Sequence, residues 1–483
     1  MPTGTPAAPA PPAAPAAVRP RTALAWCVVT GVVALVLLLH VLHPDPKEEE
    51  FALDLMTQQI QIQYGTQSFV GSLGGPAAAG PATAAAYEQL AKTFGRGPVA
   101  QRQRFAAVAG DMAGPEKALA LLDETEGLLR DRKIPLEGKA LEIQSILRRL
   151  YGGAAPSAEE GAALRRELGW FGELALAPAG SPGREAVLAP ARRLAGRQIL
   201  MVIGILGALG LGVIGAIVFW LAVLRSEGTF FLLRPGTAPH GIYAETFAAW
   251  MVLFVVVSLL AELLVKFAGL EDWAMGIEGC AILLTLGALA WPVWRGVPFA
   301  TVRDDLGLRL PANPLKEVLA GFACWLTSLP VMGAALVLVV ALAWATGMMG
   351  VGEDPLAPQK MASHPIMGEV AKGGRWLLVL FLAAGVAPVV EETFFRGALY
   401  RHLRDATGRR GRLVSVAFST AVSAFVFAVI HPQGLIAVPL LMAVAWALVQ
   451  AREWRGSLLA PMAAHSLHNA LVTGFLFLQF DGG

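Results

Sequence analysis

Charged residues are scarce in this chain. They make up 15% of its 483 residues, whereas hydrophobic residues make up 55%. A soluble domain would carry about 25% charged residues. The apolar residues also lie in long uninterrupted runs, which are typical of transmembrane helices. The composition therefore argues against a soluble globular enzyme and predicts a protein that crosses a membrane several times.

A strong net charge and a cysteine framework are missing as well. The formal net charge is only +2, so there is no global basic field that would attract nucleic acid. The three cysteines, Cys27, Cys280 and Cys324, all fall inside apolar runs and show no CxxC spacing. This excludes a disulfide scaffold and a cysteine-based zinc site, and it favours a packing role for the thiols.

The remaining pattern predicts an all-α fold, a polytopic bundle of about nine membrane spans with an inserted soluble helical domain. Between residues 44 and 197 the apolar residues are periodic, and Gly/Pro-containing breaks separate short helical segments rich in Glu, Arg and Gln. The predicted division is a disordered Pro/Ala-rich tail at 1–22, a first transmembrane helix at 23–43, the soluble helical domain at 44–197, a second transmembrane helix and loop at 198–247, and an intramembrane domain at 248–483.

Basic residues between the predicted spans indicate the orientation. They cluster in three loops, which contain Arg295, Arg303, Arg309 and Lys316, then Arg401, Arg404, Arg409, Arg410 and Arg412, and finally Arg452 and Arg455. The positive-inside rule places these loops and the N-terminus in the cytoplasm and the domain at 44–197 outside it. Arg192, Arg193 and Arg197 disagree, but they flank a long domain, where the rule is weak.

Three polar motifs interrupt the late apolar runs, where charged side chains are expensive and mark candidate functional sites. In EETFFR, Glu392 and Arg396 are four residues apart and share a helix face, so they can pair. Glu391 is rotated by about 100° and left free. FAVIHP contains Phe427 and His431, and HSLHNA contains His465 and Asn469, which share a face.

These motifs together offer the groups that amide hydrolysis needs. A carboxylate beside an imidazole can hold and deprotonate a water, and a second imidazole with an amide N–H can stabilise an oxyanion. At about 1.5 Å per residue, Glu391 lies about 20 Å from Arg404, and Asn469 and His465 lie about 21 Å and 15 Å from Arg455. His431 lies about 28 Å from Arg412. We therefore expect three of the four to converge, and His431 as well if its helix is tilted or starts later. No GxSxG motif suggests a covalent nucleophile.

The three motifs resemble the pattern EExxxR, FxxxH, HxxxN of the CAAX protease and bacteriocin-processing family of intramembrane endopeptidases, also called the abortive-infection family. This family includes the CAAX prenyl protease type 2. DDLGLRLP at Asp304–Pro311 also resembles a stretch that often precedes the core helices of the family. The resemblance covers roughly residue 248 to the C-terminus and does not reach the soluble domain.

The resemblance implies a role for each matching residue. Glu391 would be the catalytic base acting with His431, and His465 and Asn469 would stabilise the oxyanion. Glu392, Arg396 and Phe427 would support the site. Family members have been described both as metalloproteases and as glutamate proteases. Glu391, His431 and His465 could hold zinc, but HExxH is absent and Asn is a poor zinc ligand, so no cofactor is firmly predicted and a metal-free mechanism is slightly favoured.

The sequence thus predicts an endopeptidase of the bacterial inner membrane that cleaves a membrane-embedded or membrane-anchored protein or peptide. The domain at 44–197 would contact a partner that the sequence does not identify. One alternative is a non-catalytic membrane scaffold, such as an immunity or regulatory protein, but a scaffold needs none of the four polar residues. A transporter is a third possibility, yet the inverted repeats that transporters favour are not found.

Overall fold

All the regular structure of this protein is helical. The computed structural model describes residues 20–42, 48–74, 76–226, 231–346, 354–356 and 375–480, and no strand occurs in these ranges. The all-α fold class is therefore confirmed. Most of the predicted tail at 1–22 lies outside the described residues.

The first nine helices run from the N-terminus into the second membrane span: α1 Thr22–Leu42, α2 Glu48–Gly74, α3 Pro76–Phe94, α4 Val99–Ala113, α5 Pro115–Asp131, α6 Gly138–Tyr151, α7 Ala158–Leu168, α8 Trp170–Leu176 and α9 Arg184–Arg225. The remaining helical elements, some of which contain 3₁₀ or π turns, are α10 Ile242–Ala268, α11 Glu271–Trp294, α12 Phe299–Leu306, α13 Pro314–Ala345, α14 Trp376–Arg410, α15 Arg412–Val429, α16 Leu435–Arg455 and α17 Leu459–Phe480.

Eight of these helices are long and apolar enough to cross a membrane, namely α1, α9, α10, α11, α13, α14, α15 and α16. They correspond to eight of the nine predicted spans. The ninth predicted span coincides with α17, a helix of 22 residues that carries His465, His468 and Asn469 and is not among the eight. The chain is thus a polytopic integral membrane protein.

Helices α2 to α8 surround a hydrophobic core of their own. The first turns of α9 complete this core, because Leu188 and Ala191 are buried in it and Gly65 of α2 lies directly against the Ala191 backbone. Helix α9 then continues into its membrane span without a break. The predicted boundaries after residues 197 and 247 therefore fall inside α9 and α10, and the division into domains stays a prediction.

Aromatic rings pack the motif helix α14 against α10 and α15, and a small-residue contact joins α13 to α17. Trp250 of α10 stacks on Phe394 with ring centroids 4.9 Å apart, and Phe395 contacts Phe427 of α15 at 5.1 Å. Gly321 allows α13 to approach the α17 backbone at Ala460. The aromatic contacts hold α14 beside α15, and α17 also packs against α14, so the three motif helices are neighbours.

Several basic residues used to predict the orientation are buried or half-buried in a polar network. Glu453 accepts hydrogen bonds from the Tyr400 hydroxyl at 2.9 Å and from Arg404 Nε at 2.6 Å. Arg452, which is 1% exposed, donates to the Leu306 carbonyl at 2.8 Å. Asp305 accepts the Tyr243 hydroxyl at 2.9 Å. The stretch Asp304–Pro311 thus helps to tie α10, α14 and α16 together at this end of the bundle.

Candidate active site

Glu391 and Glu392 lie between two π-helical segments of α14, Leu382–Val386 and Thr393–Leu399. Single π turns inside α-helices are rare and often occur at functional sites. The first segment has a local cause, because Ala387 N–H donates to the Leu382 carbonyl and the next donor in that register would be Pro388, which has no N–H. The Ala383 carbonyl is therefore left without its helical partner.

Asn469 of α17 satisfies this carbonyl. Its side-chain Nδ2 donates to the Ala383 carbonyl at 2.7 Å. A carbonyl without a donor is unfavourable inside a membrane, so this bond helps to hold α17 against α14. The amide group has two N–H bonds, and the second one remains available for a bound substrate.

The Glu392–Arg396 pair is fully buried. Arg396 Nη1 lies 2.9 Å from Glu392 Oε1, and the two side chains are 1% and 0% exposed. The guanidinium also lies over the Phe427 ring, with its carbon 4.7 Å from the ring centroid, and donates to the Ala445 carbonyl at 3.3 Å. The same Glu392 oxygen accepts a hydrogen bond from His465 Nδ1 at 2.9 Å. Glu392 thus pairs with Arg396 within α14 and also links α14 to His465 of α17.

His431 lies just beyond the last residue of α15. Its Nδ1 is 2.5 Å from the Phe427 carbonyl, and a carbonyl oxygen can only accept, so Nδ1 is the donor. A carboxylate likewise only accepts, so the Nδ1 of His465 donates to Glu392. In their neutral forms both rings therefore present an unprotonated Nε2.

Both Nε2 atoms face Glu391. Its Oε2 atom lies 3.7 Å from His431 Nε2 and 3.8 Å from His465 Nε2. This oxygen is buried and has no hydrogen-bond partner within the described part of the chain. The distances are too long for direct hydrogen bonds. The carboxylate oxygen and the two Nε2 atoms are all hydrogen-bond acceptors, and they face one another without a donor between them. A water molecule is the smallest donor that could occupy this space.

The structure thus brings together Glu391, His431 and His465, with Asn469 one helical turn from His465. It places Glu392, Arg396 and Phe427 directly behind them. His431 meets the others although counting along its helix placed it deeper, because path length along a helix equals depth only for an untilted helix. Sequence reasoning missed the contact of Glu392 with His465 and that of Asn469 with Ala383. Pro388 inside an apolar run was the available signal for the second contact.

Three side chains of the site are candidate ligands for a metal ion. Glu391, His431 and His465 are chemically suitable zinc ligands. Across the described ranges, however, no group of three or more His, Cys, Asp or Glu side chains is arranged so that it could hold a metal ion. The three residues do not fit the ion as they stand, and the chemistry derived for the site uses water and side chains.

One family model matches the part of the chain that contains the site. Residues 373–471 match the family model described as Type II CAAX prenyl endopeptidase Rce1-like. The chain contains an Rce1-like domain. Comparison with curated proteins and with solved structures gave no match.

The Rce1-like domain contains all three motifs, from the first glutamate at 391 to the amide at 469. Its match supports a protease of the CAAX type that works on membrane-associated substrates. The helices between residues 48 and 176 lie outside the matched range.

Proposed function

We propose that this protein is an intramembrane endopeptidase that hydrolyses a peptide bond of a membrane-embedded or membrane-anchored protein, with Glu391 as the base that activates water. One observation carries the proposal: the buried Glu391 Oε2 has no hydrogen-bond partner among the described residues and lies within 4 Å of two imidazole Nε2 atoms. A water at this point can donate to Glu391 and to His431 and direct an oxygen lone pair at a substrate carbonyl.

The proposed hydrolysis has two stages, the attack of water on the carbonyl and the collapse of the tetrahedral intermediate. The water oxygen attacks the carbonyl carbon while Glu391 takes the proton, and the carbonyl oxygen becomes an oxyanion. The donors for this oxyanion are the second N–H of Asn469 and the Nε2–H of His465 in its imidazolium form, whose extra proton is taken up from solvent before the attack and is kept throughout the reaction. Collapse of the tetrahedral intermediate breaks the C–N bond, and Glu391 returns the proton to the leaving amine. No covalent intermediate with the protein is required.

The buried pair Glu392–Arg396 positions the donors. Glu392 holds the Nδ1 proton of His465, which fixes the ring orientation and favours its charged form in the transition state. Arg396 balances the charge of Glu392 and lies against Phe427, whose ring is 4.1 Å from that of His431. Both imidazoles are therefore oriented from behind by one buried cluster.

Access to the site is asymmetric. The Glu391 and His431 side chains are 24% and 18% exposed, whereas that of His465 is 4% exposed. A substrate therefore approaches from the side of Glu391 and His431, with its carbonyl oxygen turned toward α17. We place the protein in the bacterial inner membrane, where such a substrate reaches the site through the lipid phase.

The helices between 48 and 176 are proposed to lie on the extracytoplasmic side and to present or select substrates. They contact the segment that joins α13 to the motif helix α14. Arg132 pairs with Asp354 at 2.6 Å, and Gly97 N–H donates to the Pro355 carbonyl at 2.8 Å. Cysteines introduced at positions 132 and 354 should both react with a membrane-impermeant maleimide added to intact cells. Reaction of either one only after lysis contradicts this orientation.

The test of the activity compares membranes of cells that express the wild type or Glu391→Gln. Proteomics of the peptides released from the membranes should show new cleavage products only with the wild type. Glu262→Gln is the matched control, because Glu262 is an exposed carboxylate on α10 outside the site. If wild type, Glu391→Gln and Glu262→Gln release the same peptides, the chain is not a protease and the scaffold alternative is favoured.

A further inference from the structure

A groove of about 640 Å³ lies on the opposite side of α10 from the aromatic layer that supports α14. Its walls come from three helices. One face of α1 contributes Leu24, Ala25 and Val28, and a stripe of α10 runs from Glu245 to Val256. The end of α11, from Gly287 to Trp294, forms the third wall. The volume is in the range of about 300–1,000 Å³ found for small-molecule sites.

The length of the groove matches one leaflet of a bilayer. The α10 stripe spans eleven residue steps, or about 16 Å at 1.5 Å per residue. Half of a hydrocarbon core about 30 Å thick is about 15 Å. The groove runs along a membrane-spanning helix, so it is parallel to the acyl chains of that leaflet. Its aliphatic lining matches such a chain.

One end of the groove is polar and positively charged. The Glu245 carboxylate is buried there and is already satisfied by Arg295, by the Trp291 indole N–H at 3.0 Å and by the Arg21 backbone N–H. The Arg21 guanidinium is exposed at this end and has no ion pair with any residue that the structure describes. Trp294, which is 79% exposed, marks the membrane interface beside it. The charge left at this end of the groove suits a phosphate.

We propose that this groove binds one anionic glycerophospholipid, with an acyl chain between α1 and α10 and the phosphate against Arg21. The lipid would hold the first helix on the bundle, since α1 is mostly exposed along its apolar length. It belongs to the leaflet on the Arg21 side and does not enter the site of Glu391, because Phe247 and Trp250 of α10 separate the two.

Quantification of bound lipid tests the proposal on the full chain. The wild type purified in mild detergent should retain a single phospholipid that survives repeated washing and is detected by native mass spectrometry. Ala249→Phe fills the groove from the half-buried wall of α10 and should lose this lipid. Leu259→Phe is the matched control, because it adds similar bulk to an exposed position of α10 outside the groove and should retain the lipid.

Arg21→Glu separates the two parts of the site. This variant should lose the preference for anionic over zwitterionic phospholipid while the acyl chain still binds. Equal lipid retention by Ala249→Phe and Leu259→Phe overturns the proposal, and so does retention of a polyisoprenoid in place of a phospholipid.

A measurement on the wild type does not depend on whether the variants fold. In phosphatidylcholine vesicles doped with photoreactive phosphatidylglycerol, cross-linked peptides should come from the groove walls on α1, α10 and α11. Cross-links spread evenly over all the exposed helices would mean annular lipid only and overturn the specific site.

Discussion

His465 Nδ1 lies 2.9 Å from Glu392 Oε1, so the carboxylate that pairs with Arg396 inside α14 also orients an imidazole of α17. Glu392 is therefore both a structural residue and a positioning residue. Glu391, its neighbour, has an oxygen that contacts no donor among the described side chains and faces both imidazoles. The two adjacent carboxylates differ because successive residues of a helix point about 100° apart.

Glu392→Gln should lower both stability and activity. It leaves Arg396 buried without its charge partner, which costs roughly 3–5 kcal/mol when such a pair is broken. It also replaces the charged oxygen that accepts the His465 Nδ1 proton with a neutral amide oxygen, which stabilises the protonated imidazole less. Thermal unfolding in detergent should show a lower Tm, and turnover of an identified substrate should fall.

The double variant Glu392→Gln with Arg396→Gln separates these two effects. No lone buried charge remains, so part of the lost stability should return. Activity should stay low because His465 still lacks its carboxylate. Recovery of activity together with stability would show that Glu392 acts through folding alone.

Glu391→Gln should give the opposite result. It keeps the size of the side chain but removes the base, so turnover should fall by at least about 10²-fold, the usual scale of general-base catalysis. The Tm should stay close to that of the wild type, because Glu391 Oε2 has no partner to lose among the described residues. A fall in Tm equal to that of Glu392→Gln contradicts this division of roles.

Asn469→Ala should reduce kcat by about 10²–10³-fold, which is the cost of removing one oxyanion donor. The variant also leaves the Ala383 carbonyl without its donor. Asn469→Gln serves as a control for the presence of an amide, since its longer side chain keeps the N–H group but shifts it. Steady-state kinetics should show the loss in kcat and little change in KM. Full activity of Asn469→Ala would remove Asn469 from the site.

Metal removal should leave activity intact. The proposed base works on a water held by Glu391 and His431, and the three possible ligands do not form a metal site as they stand. Incubation with a strong chelator followed by dialysis should therefore change turnover by less than the error of the assay. Loss of activity that stoichiometric zinc restores, together with loss of zinc binding in His431→Ala and His465→Ala, would establish a zinc protease.

The predicted soluble domain at 44–197 should fold when expressed alone. Its core is completed by Leu188 and Ala191 of α9, and Arg184 pairs with Asp111 at 2.6 Å. Circular dichroism of 44–197 should show a helical, cooperatively unfolding protein in buffer without detergent. A shorter version that ends at residue 183 lacks these contacts and should unfold at a lower temperature. A random-coil spectrum of 44–197 would contradict the domain assignment.

The sequence alone determined the membrane class, eight of the spans and the pairing of Glu392 with Arg396. Apolar runs specify a span because the bilayer core excludes charge over a known thickness. The spacing of four residues specifies the pair because the helix repeats every 3.6 residues. Both are local relationships, so no knowledge of the other helices is needed.

Only the tertiary structure decided which groups meet across helices. The contacts of Glu392 with His465 and of Asn469 with Ala383 join residues 73 and 86 positions apart in the chain. They depend on how the helices pack against one another and on the two π-helical segments of α14, each of which changes the direction in which the following side chains point. Helical periodicity cannot predict these contacts, because it describes angles within one helix and not the packing of one helix against another.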